Sequence, residues 1–331
     1  MRIETARRAA SIIYRLAISS GKNNGVYLVP ANACPVVPMA IIKAGRSVEF
    51  IDIEPDTLSM CSSTLQARLL DSSMTPVAGV IFIRPYGFID QKAVSFEQLR
   101  LLSPETIFVD DRCAAPPEVD CDSLVLSGAD VYLYSTGYGK YADIGSGGYA
   151  LMNPKVDYVS DHIEGSSYSP ADYKKLENYF DLPHLAFPTR EAMDDGLLGE
   201  LAWLDLSPLG MCWDEYMDLF LDRREKVSLH KRLADDIYKG IIPREIFLGD
   251  RYNLWRHQVL VEDKIKLLDE IFKSKLFASG HYRTVANFFT DTSFPNSDHL
   301  YSRVVNLFND FYINENQMIE VARIVRKHVH C

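Results

Sequence analysis

Between Gly25 and Asp111 the chain alternates short apolar runs with helix-patterned segments, and this alternation leaves few architectures open. The runs are Gly25 to Pro30 (GVYLVP), Ser47 to Ile53 (SVEFIDI), Val77 to Arg84 (VAGVIFIR) and Thr106 to Asp111 (TIFVDD). Their Val, Ile, Phe and Tyr suit a pleated surface, and near-continuous apolar runs suit strands buried on both faces. A helix opens at Ala33-Cys34-Pro35, and Ser62 to Leu70 and Phe96 to Leu102 read as two more. Strands and helices in this order predict an α/β domain around a mostly parallel sheet. Ligands of such sheets sit beyond the carboxyl ends of the strands. Arg84, Asp110 and Asp111 fall at those ends.

The flanks of this region extend the plan. Thr5 to Ile18 has the period of a helix, with Ala9, Ile12, Ile13, Leu16 and Ala17 on its buried face. Thr5 is its expected cap, and the free N–H groups of such an end can bind an anion. From Pro154 to about Pro208 the pattern is irregular and broken by prolines. Asp214 to Lys239 reads as one long helix with a salt-bridged, solvated face. Beyond it come a strand at Arg256 to Val261, a helix at Asp263 to Phe272, a strand at Val304 to Leu307 and a helix at Glu315 to Lys327. The expected division is a large domain over residues 1–239 and a smaller α+β domain over residues 240–331.

Composition removes several function classes. The chain has 331 residues and a formal net charge of −10, with a pI near 5.3. A nucleic-acid binder would show a basic stripe instead. No apolar run is long enough to span a bilayer, and no signal-peptide core follows Met1. The six cysteines, at 34, 61, 113, 121, 212 and 331, form no CxxC pair. Scattered free thiols in a chain of this length fit a reducing, cytoplasmic setting. The tail His328-Val329-His330-Cys331 could bind a metal, but it reads as a basic helix end, and no metal site is expected.

The stretch from Asp130 to Ala150 carries the chemistry. Val131 to Tyr134 reads as a strand; Ser135, Thr136, Gly137 and Gly139 break it; Lys140 sits in the turn. Gly145, Ser146, Gly147 and Gly148 then let the backbone approach something closely before a second strand. Lys140 is either a solvated loop lysine or an imine-forming one, with Ser135 as a phosphate anchor. Three features converge on the second option: a helix start at Thr5-Ala6, a carboxylate at the end of a strand in Asp111, and Lys140 in a turn. Pyridoxal phosphate needs helix N–H groups and a hydroxyl for its phosphate, a carboxylate for its ring nitrogen and an amine for its aldehyde. The chain has no P-loop, HExxH or GxSxG.

The sequence resembles the DegT/StrS sugar aminotransferase family. LVPANACPVVPMAIIKAGRSVEFIDIEPDTLSM (28–60) is similar to the family's proline-led strand and helix with the strand that follows. IFVDDRCAA (107–115) is similar to its "viEDaAqa" strand, and GADVYLYSTGYGKYADIGSGGYALM (128–152) to its lysine block. LWRHQVLVED and ASGHYRTV match segments of its small domain. The resemblance implies a fold type I pyridoxal phosphate transferase, with a three-layer αβα large domain and a smaller α+β C-terminal domain. It places Lys140 at the imine, Asp111 at the ring nitrogen, Ser135, Thr5 and Ala6 at the phosphate, and Cys34 beside the ring. It implies a homodimer with shared active sites, glutamate as amino donor and a keto sugar as acceptor. His184, Arg256, His257, His281 and Tyr282 are the candidates for the substrate side. Ala114 stands where the family has glutamine, and Cys34 where many members have an aromatic ring. The alternatives are another fold type I enzyme or a non-catalytic, cofactor-binding relative.

Overall fold

A computed structural model of the chain describes residues 1–20, 25–90, 92–119, 127–160, 168–181, 202–252 and 254–329. The large sheet comprises β1 (Arg2–Ala6), β2 (Val26–Pro30), β3 (Val48–Ile51), β4 (Val77–Ile83), β5 (Ile107–Asp111), β6 (Val131–Ser135) and β7 (Gly148–Met152). Their spatial order is β1-β7-β6-β5-β4-β2-β3. Pairing is parallel from β3 through β2, β4 and β5 to β6. β7 is antiparallel to both of its neighbours, so it alone among these strands runs against the others.

Side-chain alternation explains the three layers. Val29, Ile81, Val109 and Leu133 leave one face of the sheet and pack with Ile12, Ile13 and Leu16 of α1 (Ala9–Ser19) and Met39 and Ile41 of α2 (Val36–Lys43). Leu28, Val80, Phe108 and Tyr132 leave the other face. They meet Leu65 of α3 (Ser62–Leu70) and Phe96 and Leu99 of α4 (Phe96–Leu102). A sheet covered on both faces accounts for strands without polar alternation. α5 (Pro170–Asp181) lies inside the stretch expected to be irregular.

The first expected helix is corrected by this topology. It begins at Ala9, not Thr5, because residues 2–6 form β1. Ladder pairing with β7 sets Glu4 opposite Ala150 and Thr5 opposite Tyr149. Those backbone bonds outweigh the weak local preference for helix. Thr5 is therefore a strand residue and no cap, and Ala6 is core.

The rest of the chain builds α6 (Trp213–Ile241), β8 (His257–Leu260), α7 (Lys264–Lys273), β9 (Ala278–Gly280), α8 (Pro295–Arg303), β10 (Val304–Leu307) and α9 (Glu315–Val329). An antiparallel sheet in the order β8-β10-β9 carries this second unit. Its core joins Val259, Leu267, Ile271, Val305, Met318 and Val321. α6 serves both cores: Tyr216 and Phe220 pack on the large sheet, while Ala234 and Tyr238 pack in the small unit. No described helix is long and apolar enough to cross a membrane. Among the described residues there is no cluster of three or more metal-ligating side chains. His328 instead faces Glu270, Nδ1 to Oε2 at 3.3 Å; His330 and Cys331 lie outside the described residues.

Candidate active site

The carboxyl ends of β2, β4, β5 and β6 open on one cavity of about 230 Å³. Asn32 and Cys34 follow β2, Arg84 to Tyr86 follow β4, Asp111 and Cys113 come with β5, and Ser135, Gly137, Tyr138 and Lys140 with β6. Neighbours of β2 on its two sides are reached by connections in opposite directions, and this is the switch point at which such sheets bind ligands.

Lys140 is held by its turn rather than by its side chain. Its backbone N–H donates to Gly137 C=O at 3.1 Å. Gly139 has φ +70°, a conformation glycine adopts freely. The Gly139 N–H donates to Asp143 Oδ2 and its C=O accepts from Trp255 Nε1, each at 2.7 Å. The Lys140 side chain is half-buried and makes no hydrogen bond or salt bridge among the described residues. An amine aimed at a cavity without a structural partner is available for chemistry.

The glycine run meets a defined neighbour. A Cβ on Gly148 would lie 2.5 Å from the backbone nitrogen of Ala9, and one on Gly147 would lie 2.5 Å from Thr136 Oγ1. These glycines let the first turn of α1 settle against the sheet beside Ser135. Gly147 N–H donates to Arg7 C=O at 2.9 Å, and Ser135 Oγ donates to Gly147 C=O at 3.4 Å. Arg8, Ala9 and Ala10 line the cavity next to this point, while Thr5 and Ala6 do not. Arg8 is extended and gives no side-chain cap, and no acidic residue occupies the first turn. The start of α1 thus meets the cavity without a side-chain cap, with the Arg8 guanidinium 5.1 Å from the ring of Tyr173, another lining residue, and this end suits an anion.

The two adjacent carboxylates differ completely. Asp110 is buried on the side away from the cavity. Its Oδ1 accepts from Arg84 Nε at 2.6 Å, and its Oδ2 from Arg84 Nη2 at 3.0 Å, Arg112 Nη2 at 2.8 Å and Ser127 Oγ at 2.7 Å. Burial works against its charge, but the two guanidiniums win and hold its pKa below the usual carboxylate value. Asp111 lines the cavity and is 4% exposed. Its Oδ1 accepts from the Cys113 N–H at 2.9 Å. Burial raises its pKa; the Cys113 contacts and the charge of Lys140 oppose that rise without cancelling it. A cation arriving in the cavity would reverse this balance.

The remaining candidates divide. Cys34, His281 and Tyr282 line the cavity; Arg256 and His257 do not. Arg256 is buried and ion-paired with Asp310, and His257 Nδ1 sits 3.1 Å from Asp235 Oδ1 within the small unit. His184 lies outside the described residues. The His281 Nε2 hydrogen bonds to Asn32 C=O at 3.2 Å, and burial pushes its pKa down to about 4, so the ring is neutral at physiological pH. Ala114 lines the cavity as well. Sequence reasoning missed Arg8, Tyr86, Trp203, Asp205 and Trp255, all of which line it. Tyr86 carried a signal in the Arg84-Pro85-Tyr86-Gly87 turn, where its φ is +51°.

Solved structures share this architecture over nearly the whole chain. An aminotransferase of the DegT/DnrJ/EryC1/StrS type from Brucella abortus superposes with a TM-score of 0.65 at 14% identity, covering 99% of this chain and 86% of that one. PseC of Helicobacter pylori, an aminotransferase involved in the biosynthesis of pseudoaminic acid, gives 0.67 at 13%, covering 100% and 87%. The chain has the fold of these aminotransferases. DesI, determined in the presence of its TDP-sugar product, gives 0.67 at 14%, covering 99% and 80%. No protein-family model matches the sequence, and no curated protein does. The expected α/β plan with a mostly parallel sheet and a smaller second unit is therefore the fold these structures share.

Proposed function

We propose that the protein is a DegT/StrS-type, pyridoxal-phosphate-dependent aminotransferase that passes an amino group from glutamate to a keto sugar. The observation that carries this reading is one cavity holding Lys140, which has no hydrogen bond or salt bridge among the described residues, the buried carboxylate of Asp111 and the uncapped start of α1 beside Ser135. These donors fit the cofactor group by group. Lys140 supplies the amine, Asp111 the counter-charge for a ring nitrogen, and Ser135 with the first turn of α1 the phosphate contacts. Cys34 takes the place beside the ring. Arg8 replaces Thr5 and Ala6 in this assignment, because it is the residue at the helix start.

When bound, the cofactor supplies an aldehyde for covalent capture and a ring that accepts an electron pair. The protein residues then hold and move protons. Lys140, with its amine free, would take the proton from the donor's α-carbon. Asp111 would keep a proton on the ring nitrogen by opposite charge in a poorly hydrated site. His281 and Tyr282, from the small unit, face the acceptor; a neutral His281 suits hydroxyl groups better than an anion. The TDP-sugar product of DesI and the pathway of PseC support a nucleotide-linked or ulosonate-type sugar, in cell-surface polysaccharide or related sugar biosynthesis. The free thiols Cys34, Cys61, Cys113 and Cys212 fit a cytoplasmic enzyme. In the same reading the domains are 1–239 and 240–331, with α6 shared between their cores.

The direct test is half-transamination. Glutamate should convert the bound cofactor to its amine form, seen as loss of the visible absorbance band, and keto sugars should be screened for the ability to restore it. A protein that holds the cofactor but is not turned over by any amino donor would be a binding relative, and the reading would fall. We also place the protein in a homodimer with shared active sites. Leu229 and Leu233, one turn apart on α6, are 60% and 42% exposed, an apolar pair that a partner subunit would cover. Light scattering should give twice the 37.5 kDa of the chain; a fully active monomer would contradict the dimer.

A further inference from the structure

The turn that carries Lys140 is gripped from outside its own domain. Gly139 C=O accepts from Trp255 Nε1 at 2.7 Å, and Gly139 N–H donates to Asp143 Oδ2 at 2.7 Å. Asp143 Oδ2 also accepts from the Tyr312 hydroxyl at 3.2 Å, and Asp143 Oδ1 from Gly145 N–H at 2.8 Å. Trp255 and Tyr312 both come from the C-terminal unit. Their spacing is fixed by their neighbours: Arg256 ion-pairs with Asp310, whose Oδ1 accepts from Tyr312 N–H at 3.1 Å. Lys231 Nζ donates to Trp255 C=O at 2.8 Å and to Asn309 Oδ1 at 2.7 Å, closing the same frame. Trp255 N–H in turn donates to Tyr86 C=O at 3.2 Å, on the other large-domain loop of the cavity.

We propose that Trp255, with Tyr312 behind Asp143, is a positioning residue that clamps the Gly139 peptide and so sets the reach of the Lys140 amine. The inference rests on the assignment of Lys140 as the covalent residue and deepens it. The turn has glycines at 137 and 139, so little in its own sequence fixes the plane of the peptide that leads into Lys140. Clamping both ends of the Gly139 residue removes that freedom. The frame around Arg256 and Asp310, which does not line the cavity but brings Arg256 Nη2 within 3.8 Å of where a Gly139 Cβ would lie, thereby gains a role: it keeps the clamp's two jaws in register. Small misplacements of a reacting group cost large factors in reactivity.

The test compares two forms of the cofactor. Pyridoxamine phosphate binds through ring and phosphate contacts alone, whereas pyridoxal phosphate adds the bond to Lys140. Trp255→Phe keeps a ring in the wall and removes the N–H donor. It should weaken pyridoxal phosphate binding at least about tenfold, leave pyridoxamine phosphate binding within about twofold, and slow borohydride fixation on the Lys140 peptide. Equal weakening of both forms, or of neither, would overturn the proposal and leave Trp255 an ordinary wall residue. Tyr312→Phe guards against misfolding of the first variant, because Tyr312 is 62% exposed. It should shift the ratio of the two affinities in the same direction, by about threefold; an unchanged ratio in a folded Tyr312→Phe protein counts against the clamp. If the wild-type protein shows no linkage to Lys140 by absorbance or by label, the underlying functional reading fails first and takes the clamp with it.

Discussion

Lys140→Arg should leave a folded protein that binds cofactor without ever bonding to it, and amino transfer should fall by at least about ten-thousandfold. Arginine keeps the positive charge and most of the length of lysine but does not surrender its proton in a protein. It can therefore neither capture an aldehyde nor act as a base. Structural damage should be small, because the Lys140 side chain is half-buried and supports no hydrogen bond among the described residues. The melting temperature should stay within a few degrees of the wild type, while the absorbance of the linkage and the borohydride label both vanish. A label that persists on a different lysine would move the site. Among the described residues Lys140 is the only lysine lining the cavity, so such a result would also remove the cavity from the reaction.

The legibility of this site in the sequence depended on how local each signal is. Lys140 stood out because its turn is written in consecutive residues, from Ser135 through the glycines to Gly148. Elements written in consecutive residues elsewhere were equally readable: the strand at Val304 to Leu307 and the helices at Ser62 to Leu70 and Phe96 to Leu102 have the expected bounds. Thr5 misled because a threonine ahead of an apolar period is a sound capping signal. The competing partner, β7, lies about 145 residues further on, and no local pattern reports it. Arg256 and His257 do not line the cavity, whereas their neighbour Trp255 does. Trp255 and Arg256 lie in the turn ahead of β8, where no strand period reports direction: Trp255 reaches the cavity, while Arg256 ion-pairs with Asp310. That partner is 54 residues away, and a buried ion pair of such separation leaves no trace in the letters around Arg256. The glycine run shows the reverse case. Its need for close approach was readable, but the object approached, the first turn of α1, follows only from topology.

Asp110 and Asp111 should separate stability from chemistry when each is changed to asparagine. Alternation along β5 required that only one of them face a ligand, and the family resemblance selected Asp111. The cavity has Asp111 in its wall. Asp110 sits between Arg84 and Arg112. Its folded pKa is depressed, so its contribution to stability is present above the unfolded aspartate pKa and is lost as pH falls through the folded value. Asp110→Asn leaves two buried guanidiniums without their counter-charge, a change that costs about 3–5 kcal/mol in comparable sites. The variant should melt markedly earlier at neutral pH, and the gap should close in acid, where wild-type Asp110 is protonated too. Asp111 has the opposite sign. Its folded pKa is raised by burial, so the ionised form opposes folding once pH exceeds the unfolded value. Asp111→Asn should therefore be neutral or stabilising in the cofactor-free protein. In the loaded protein it should retain the linkage to Lys140 yet lose at least about a hundredfold in half-transamination rate, because the ring nitrogen no longer keeps its proton. A carboxylate kept at a cost to stability, and required only once a cation arrives, is the signature of a functional residue. If Asp111→Asn lowered the melting temperature and left the rate intact while Asp110→Asn did the reverse, the strand would have to present its other face to the cofactor, and the site would be wrongly registered by one residue.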